Sequence, residues 1–371
     1  MTTLVIDSFN DATAGATIPA GVHFVQLLGR NAPFDGGGVA AIDVGAAMPS
    51  HAGKWQAPDG RWFKFSCADL VRPEMFGGFP QSLGGPDTAP VLTDMINFAN
   101  IEHPSVVQIS QGQWPVDSAL PTITYLCKVR FDQTGPQPAL IYKRYAEAND
   151  TKGVMSWSDY APNVDGCTFI GNGTTASGGS FISAILPGAS PNIGIFRLTN
   201  FLFSSNRGTN YNVTIDGSAN NSGTPGYRSI MLTTGHSFGT TNHPWNLKSV
   251  RHVFATNTYS DTSGGTSSNA LFIDGTSSVP SDDFNWMGFI NGDVNISHLT
   301  GNPSQFHTPI TGKVGVDNSG SLNVYGNIGG TLTFGANVSN VQVFGLVFGA
   351  ISGPSPTGVS GRVSSAGLQS F

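Results

Sequence analysis

Charge is what this sequence has least of. Lys, Arg, Asp and Glu together make 11% of its 371 residues, against roughly 25% in an ordinary soluble domain. Only 17 residues are Lys or Arg and the formal net charge is −6, so no basic surface for nucleic acid is expected. Cysteine is scarce too. Cys67, Cys127 and Cys167 lie far apart, match no metal-ligand spacing and are expected to be small buried hydrophobes. No metal and no cofactor are expected. No run reaches the ~20 apolar residues needed to cross a bilayer, which argues against membrane insertion. The first residues, MTTLVIDSFN, carry neither a basic nor an apolar leader region. The chain is therefore expected to be made in a cytoplasm and to leave it, if at all, without the usual secretory route.

What is abundant is small and turn-forming: 48 Gly and 23 Pro, beside 24 Phe and 39% hydrophobic residues. That much apolar content excludes disorder, and Gly and Asn supply the backbone conformations of tight turns. From about Ser105 onward, short β-runs end in Gly, Asn or Asp: DGCTFIGNG, YNVTIDGS, NALFIDGT and FINGD. Each carries two or three apolar side chains, too few to bury a core alone. Stacked in layers they share one. The expected fold is all-β, a parallel β-helix (solenoid), with some eight to ten coils of roughly 20–25 residues.

The organisation follows from the same patterns. Residues 1–80 read as a small β-rich module, with GRWFKFS alternating as a half-buried strand. Residues 81–104 read as a linker and a helix from Asp87 to Asn100, with Asp87 or Thr88 as N-cap and Leu92, Met95, Ile96 and Ala99 on one apolar face. Such a helix is suited to covering the open end of a solenoid core. Residues 105–310 are the β-helix. In residues 311–371 the glycines closing SLNVYG, TLTFG and VQVFG fall at 326, 335 and 345, a rhythm that reads as a separate β module completed by other copies of the chain.

Three elements in order resemble a known family. They are FDGGGVAAID (Phe34–Asp43), APDGRWFKF (Ala57–Phe65), and then MFGGFP, PDTAPVLTDMINFAN and VVQISQGQWPVDSAL across Met75–Leu120. In this the chain is similar to the tailspike and tail-fibre proteins of bacterial viruses, which have a right-handed β-helix. Where the family has a pair of aspartates this chain has Pro86-Asp87-Thr88, and where it has a Pro-Ala-Gly turn this chain has Ser110-Gln111-Gly112. The resemblance covers about Phe34–Leu120. It implies a homotrimer held on a virion tail or an adaptor protein, binding and often cleaving a bacterial surface glycan.

Glycoside hydrolysis uses two carboxyl groups, roughly 5–5.5 Å apart for retention and ~6.5–9.5 Å for inversion. Of the three Glu only Glu147 falls in the solenoid, so a pair must be mostly Asp. Equivalent positions on successive coils stack about 4.7–4.9 Å apart. Asp261 and Asp283 are 22 residues apart, close to one expected coil, so Asp261 with Asp282 or Asp283 is the candidate acid/base pair. Tyr259, Trp245, Trp286 and His243 are the candidate sugar platform. The alternative is that YSDTSGG and PSDDFNW are turns whose Asp side chains satisfy local N–H groups.

A second cluster is Tyr142–Tyr160, with Glu147, Asp150 and Asp159 as carboxylates, Trp157 and Tyr160 as stacking surfaces, and Arg144 or Lys143 as a contact for an acidic sugar. Its alternative is a polar loop. Asp216 and Asp274 read as turn residues. No G-x-S-x-G elbow is present. The function expected is a tailspike-like protein that binds bacterial polysaccharide and hydrolyses it, or a non-enzymatic receptor-binding or structural tail component of the same build.

Overall fold

A computed structural model of the chain describes residues 3–45, 47, 49–67, 69–147, 152–158, 162–171, 179–185, 193–204, 211–219, 227–238, 243–262, 269–354 and 360–363. The chain divides into two compact units, Met1–Ile141 and Tyr142–Phe371.

In the first unit a five-stranded sheet runs in the order Thr3–Ile6, Phe24–Leu27, Val39–Asp43, Trp62–Phe65, Lys54–Gln56. The alternation read in GRWFKF is real, for Phe63 and Phe65 are buried and their neighbours are not. Asp35 of the DGGG element is a turn builder. Its carboxylate accepts the backbone N–H groups of Arg30, Asn31, Ala32 and Gly37. Burial opposes its charge, yet these bonds hold it below the ordinary carboxylate range. The helix spans Ala89–Glu102 with Thr88 as N-cap. Leu92, Met95, Ile96 and Ala99 are all buried, and Phe98 packs on Phe65 and Phe76 at ring-centroid distances of 6.1 and 5.4 Å.

The second unit is a parallel β-helix. One sheet stacks Ile193–Ser204, Tyr227–Phe238, Arg251–Asp261, Asp282–Asn291, Ser304–Phe306, Gly320–Val324, Ser339–Val347 and Ser360–Val363, every pair parallel. A nine-stranded sheet stacks Gly153–Trp157, Ser180–Ile185, Tyr211–Asp216, His243–Lys248, Asn269–Asp274, Asp293–Ser297, Val314–Asp317, Leu332–Phe334 and Ile351–Ser352. Rows of apolar residues run through the coils, such as Leu232–Ala255–Trp286–Phe306–Val324–Val343 on the first sheet and Ile215–Leu247–Ile273–Ile296–Val316–Phe334 on the second. All are buried. One coil's few apolar side chains become a continuous core only by stacking.

The strands after residue 310 extend these same two sheets, so the separate β module expected there is, over these strands, a run of shorter coils. The glycines that set the rhythm make the short coil feasible. A Cβ on Gly326 would lie 2.0 Å from the Thr308 carbonyl oxygen, and one on Gly345 2.2 Å from that of Gly326. Bare backbone is needed where the tightened turns touch. Cys67, Cys127 and Cys167 are free and buried. Burial pushes the Cys67 thiol up to about 12 and that of Cys127 to about 11, so both behave as apolar groups.

Candidate functional site

The long strands of the first sheet bend where one residue adopts a left-handed conformation: Asn200, Thr234 and Asn257, with φ of 53°, 52° and 50°. At Asn257 the bend coincides with a register shift. Thr256 pairs with Met287 and Tyr259 with Phe289, so Asn257 and Thr258 together face Gly288. This is a β-bulge, which re-aims the side chains around it. It brings the Thr258 carbonyl oxygen to 1.9 Å from where a Gly288 Cβ would stand. The bulge thus requires a residue without a side chain, and an open floor results.

The space above that floor is a groove of about 440 Å³ lined by Asn257, Tyr259, Met287, Gly288, Phe289 and His307. Two exposed rows border it. On one side Tyr259 stands between its coil neighbours His236 and Phe289, at centroid distances of 5.3 and 6.2 Å and tilts near 50°. On the other, Met287 is followed up the coils by His307, Tyr325 and Phe344. Their rings are almost parallel and stacked, with centroids 4.6 and 4.7 Å apart and interplanar angles of 2° and 5°. That spacing is the strand repeat itself. The stacked rings cover much of each other's faces and present their edges, whereas the tilted Tyr259 and Phe289 offer open ring surface.

Asp261, two residues beyond Tyr259 on the same strand, stands in the row Phe238–Asp261–Asn291 with 16% of its side chain exposed. Asn291 Nδ2 donates to its Oδ1 at 2.8 Å, and Thr311 Oγ1 donates to Asn291 Oδ1 at 2.6 Å. His236 Nε2 is 3.9 Å from the other carboxylate oxygen. Burial holds the His236 imidazole below its ordinary value, and Asp261 pulls the opposite way. Among the described residues, no group of three or more His, Cys, Asp or Glu could hold a metal ion.

Asp261 and Asp283 do not meet. The coil at this height is longer than expected, and Asp261 faces Asn291, 30 residues on. Asp282 instead faces Arg251, at the opposite end of the paired strands, on the order of 20 Å away or more by strand rise. Asp282 lies 3.1 Å from Arg251 Nε, and burial raises its carboxyl despite that cation. Asp283, in a left-handed conformation at φ 57°, is bonded to His252. The candidate pair is therefore split, with Asp282 held by Arg251 and Asp283 hydrogen-bonded to His252.

Three of the expected sugar platforms are core. Trp245 and Trp286 are fully buried and meet edge to face at 6.1 Å across the interior, and Trp157 is 2% exposed. Each falls on an inward position of its strand, so none offers a face to solvent. His243 lies on the nine-stranded sheet, half-buried, with Nδ1 accepting the Asn269 N–H at 3.0 Å. Glu147 lies 3.9 Å from Lys152, and Arg144 is half-buried. Asp150, Asp159 and Tyr160 lie outside the described residues. Of the expected set, Tyr259 and Asp261 come together beside the groove.

Sequence reasoning passed over Met287, Phe289, His307, Tyr325 and Phe344. The aromatic residues at 307, 325 and 344 repeat at the length of the short coils, a signal that becomes legible once that length is known.

No protein-family model matches the chain, and no curated protein matches it in sequence. Among solved structures it is similar to WceF of Pantoea stewartii, described as a glycan biofilm modifying enzyme with a bacteriophage tailspike-like parallel beta-helix fold (13% identity, TM-score 0.49, 99% of this chain and 52% of that one). It is also similar to the tailspike protein of Acinetobacter baumannii phage AM24 (12%, 0.41, 96% and 64%) and to the enzymatically active domain of bacteriophage CBA120 tailspike protein 2 (14%, 0.45, 96% and 56%). This chain thus spans between half and two thirds of the length of each.

Proposed function

We propose that this chain is a tailspike-like receptor-binding protein that holds a strand of bacterial surface polysaccharide along its first sheet, with sugar rings seated in the groove between Tyr259 and His307. The observation that carries this reading is the groove itself. It is open, has a glycine floor, is walled by exposed aromatic surface on one side and by Met287 and His307 on the other, and is lined by no Asp, Glu, Lys or Arg. Aromatic rings give a pyranose a large apolar contact at little entropic cost, and Asn257 and the Tyr259 hydroxyl add polar contacts that orient it. Assembly as a homotrimer on a virion tail or adaptor protein belongs to the same proposal, through the sequence resemblance.

Cleavage at the same groove is the second reading, favoured by Asp261 beside His236. It is the weaker of the two, because hydrolysis ordinarily uses two carboxyl groups and the expected partners Asp282 and Asp283 are held elsewhere. Incubating the purified protein with capsule or O-antigen of candidate hosts tests both. Saturable binding that falls at least tenfold in Tyr259→Ala and Phe289→Ala supports the groove, and binding unchanged in both variants overturns it. New reducing ends lost in Asp261→Asn establish hydrolysis; intact polymer after prolonged incubation with a bound glycan leaves recognition as the function.

A further inference from the structure

The outer face of the nine-stranded sheet carries a different recess, of about 300 Å³, lined by Phe272, Asn295, Ser297, Gly315, Asp317, Thr333 and their buried neighbours. Two adjacent outward rows build it. In one, Phe272, Asn295, Gly315 and Thr333 succeed one another up the coils. In the other, Asp274, Ser297, Asp317 and Gly335 do so. Each row is interrupted by a glycine just above an oxygen-bearing side chain. A Cβ on Gly315 would lie 2.7 Å from Asn295 Oδ1, and one on Gly335 2.2 Å from Asp317 Oδ1. Both oxygens therefore occupy the space the glycines vacate.

Acceptors dominate the hydrogen-bond inventory of this recess. Asn295 donates one amide N–H to Asn269 Oδ1 and keeps Oδ1 as an acceptor. Ser297 spends its hydroxyl on Asp274. Asn318 Nδ2 donates to Asp317 Oδ2 at 3.0 Å, and Asp317 Oδ1 has no hydrogen-bond partner among the described residues. No Lys, Arg or His lines the space. Lys248 is paired with Asp216, further down the coils. A cavity that offers a carboxylate oxygen and an amide oxygen, with an aromatic ring at its edge, is matched by a ligand bearing a positive charge and several donors.

We infer that this recess binds a protonated primary amine carried on a pyranose-sized ring, that is, an unacetylated amino sugar. The ammonium brings three donors and no acceptor. Asp317 supplies a charge-assisted bond, Asn295 a second bond, and Phe272 both a ring contact and a cation–π term. A bare divalent cation fits less well, since calcium takes six to eight oxygen ligands. The site lies on the other sheet from the Tyr259 groove and does not rest on the reading of that groove.

The test uses the full chain with glucosamine, N-acetylglucosamine, glucose and calcium chloride as separate probes, read by calorimetry and saturation-transfer NMR at pH 6. Saturable glucosamine binding is expected, at least tenfold stronger than that of the two neutral sugars. It should fall at least tenfold in Asp317→Asn with an unchanged thermal midpoint. Should that variant fold poorly, the unmodified chain at pH 10, where the amine is neutral and the carboxylate still ionised, must show the same loss. Equal binding of the neutral sugars, retention in Asp317→Asn or at pH 10, or displacement of glucosamine by calcium at equal concentration overturns the inference.

Discussion

Asn291 stands one coil above Asp261 and donates its side-chain amide to that carboxylate at 2.8 Å. The bond gives a carboxylate of 16% exposure a donor on the outer face of the sheet, where a second acceptor stacked above it would supply none. Replacing Asn291 with Asp sets two carboxylates against each other at the same distance. Their mutual repulsion raises the carboxyl value of the pair in the folded chain, so the variant matches the parent below pH ~4 and loses stability as pH rises through the folded value. A loss of about 1–2 kcal/mol at pH 7 that disappears near pH 3.5 is expected in urea titrations.

The rings of His307, Tyr325 and Phe344 form a ladder in which Tyr325 is sandwiched at 4.6 and 4.7 Å. Tyr325→Ala removes both contacts, and at about 0.5–1.5 kcal/mol for each aromatic pair the unit should lose about 1–3 kcal/mol. Phe344→Ala, which removes one, should lose about half as much. Equal effects from the two substitutions would mean that burial, and not stacking, decides their cost.

Much of this architecture is legible in the sequence because two short-range rules act at every coil. Alternation sends Leu247, Ile273, Ile296 and Val316 inward, and Gly, Asn or Asp closes each run. The helix at Ala89–Glu102 is legible for the same reason, since Leu92, Met95, Ile96 and Ala99 fall on one face whatever it packs against. The site is less legible because coil length is not a local property. Asp261 and Asp283 look like neighbours if a coil has about 22 residues, but the loop between strands sets that number, and at this height it makes Asn291 the neighbour. Trp245 and Trp286 mislead for a related reason. An indole reads equally as a sugar platform or as core, and only the phase of the strand decides. The recess around Asp317 depends on glycines in adjacent rows, which the chain separates by twenty residues.

Arg251 and Asp282 face each other at the start of their strands, 3.1 Å apart. Burial raises the Asp282 carboxyl and Arg251 pulls it the other way, so the cation offsets part of the cost of burying the carboxylate. Arg251→Ala should leave Asp282 uncompensated and cost about 2–4 kcal/mol. Arg251→Ala with Asp282→Ala should recover part of that loss, with a coupling of about 1–2 kcal/mol in the double-mutant cycle. Additive single effects would show that the two groups do not depend on each other.

Lys143 is fully buried, with Nζ donating to the Gly179 carbonyl at 3.2 Å and lying 5.2 Å from the centre of the Tyr145 ring. Burial pushes its ammonium down to about 8, against the pull of Glu147. In the unfolded chain the same group loses its proton only near the ordinary lysine value of ~10.4. Between those two values the unfolded state binds more protons, so the lysine's contribution to stability is least favourable below pH 8 and improves as pH rises to about 10.4. Lys143→Met keeps the stem and removes the charge. It should gain on the parent most at pH 7, and the difference between the two should shift by on the order of 2–3 kcal/mol by pH 10.5. The buried Cys167 thiol titrates alike in both chains and cancels. A pH-independent difference in urea midpoints would mean that the fold, through Gly179 and Glu147, holds the Lys143 charge as well as water does.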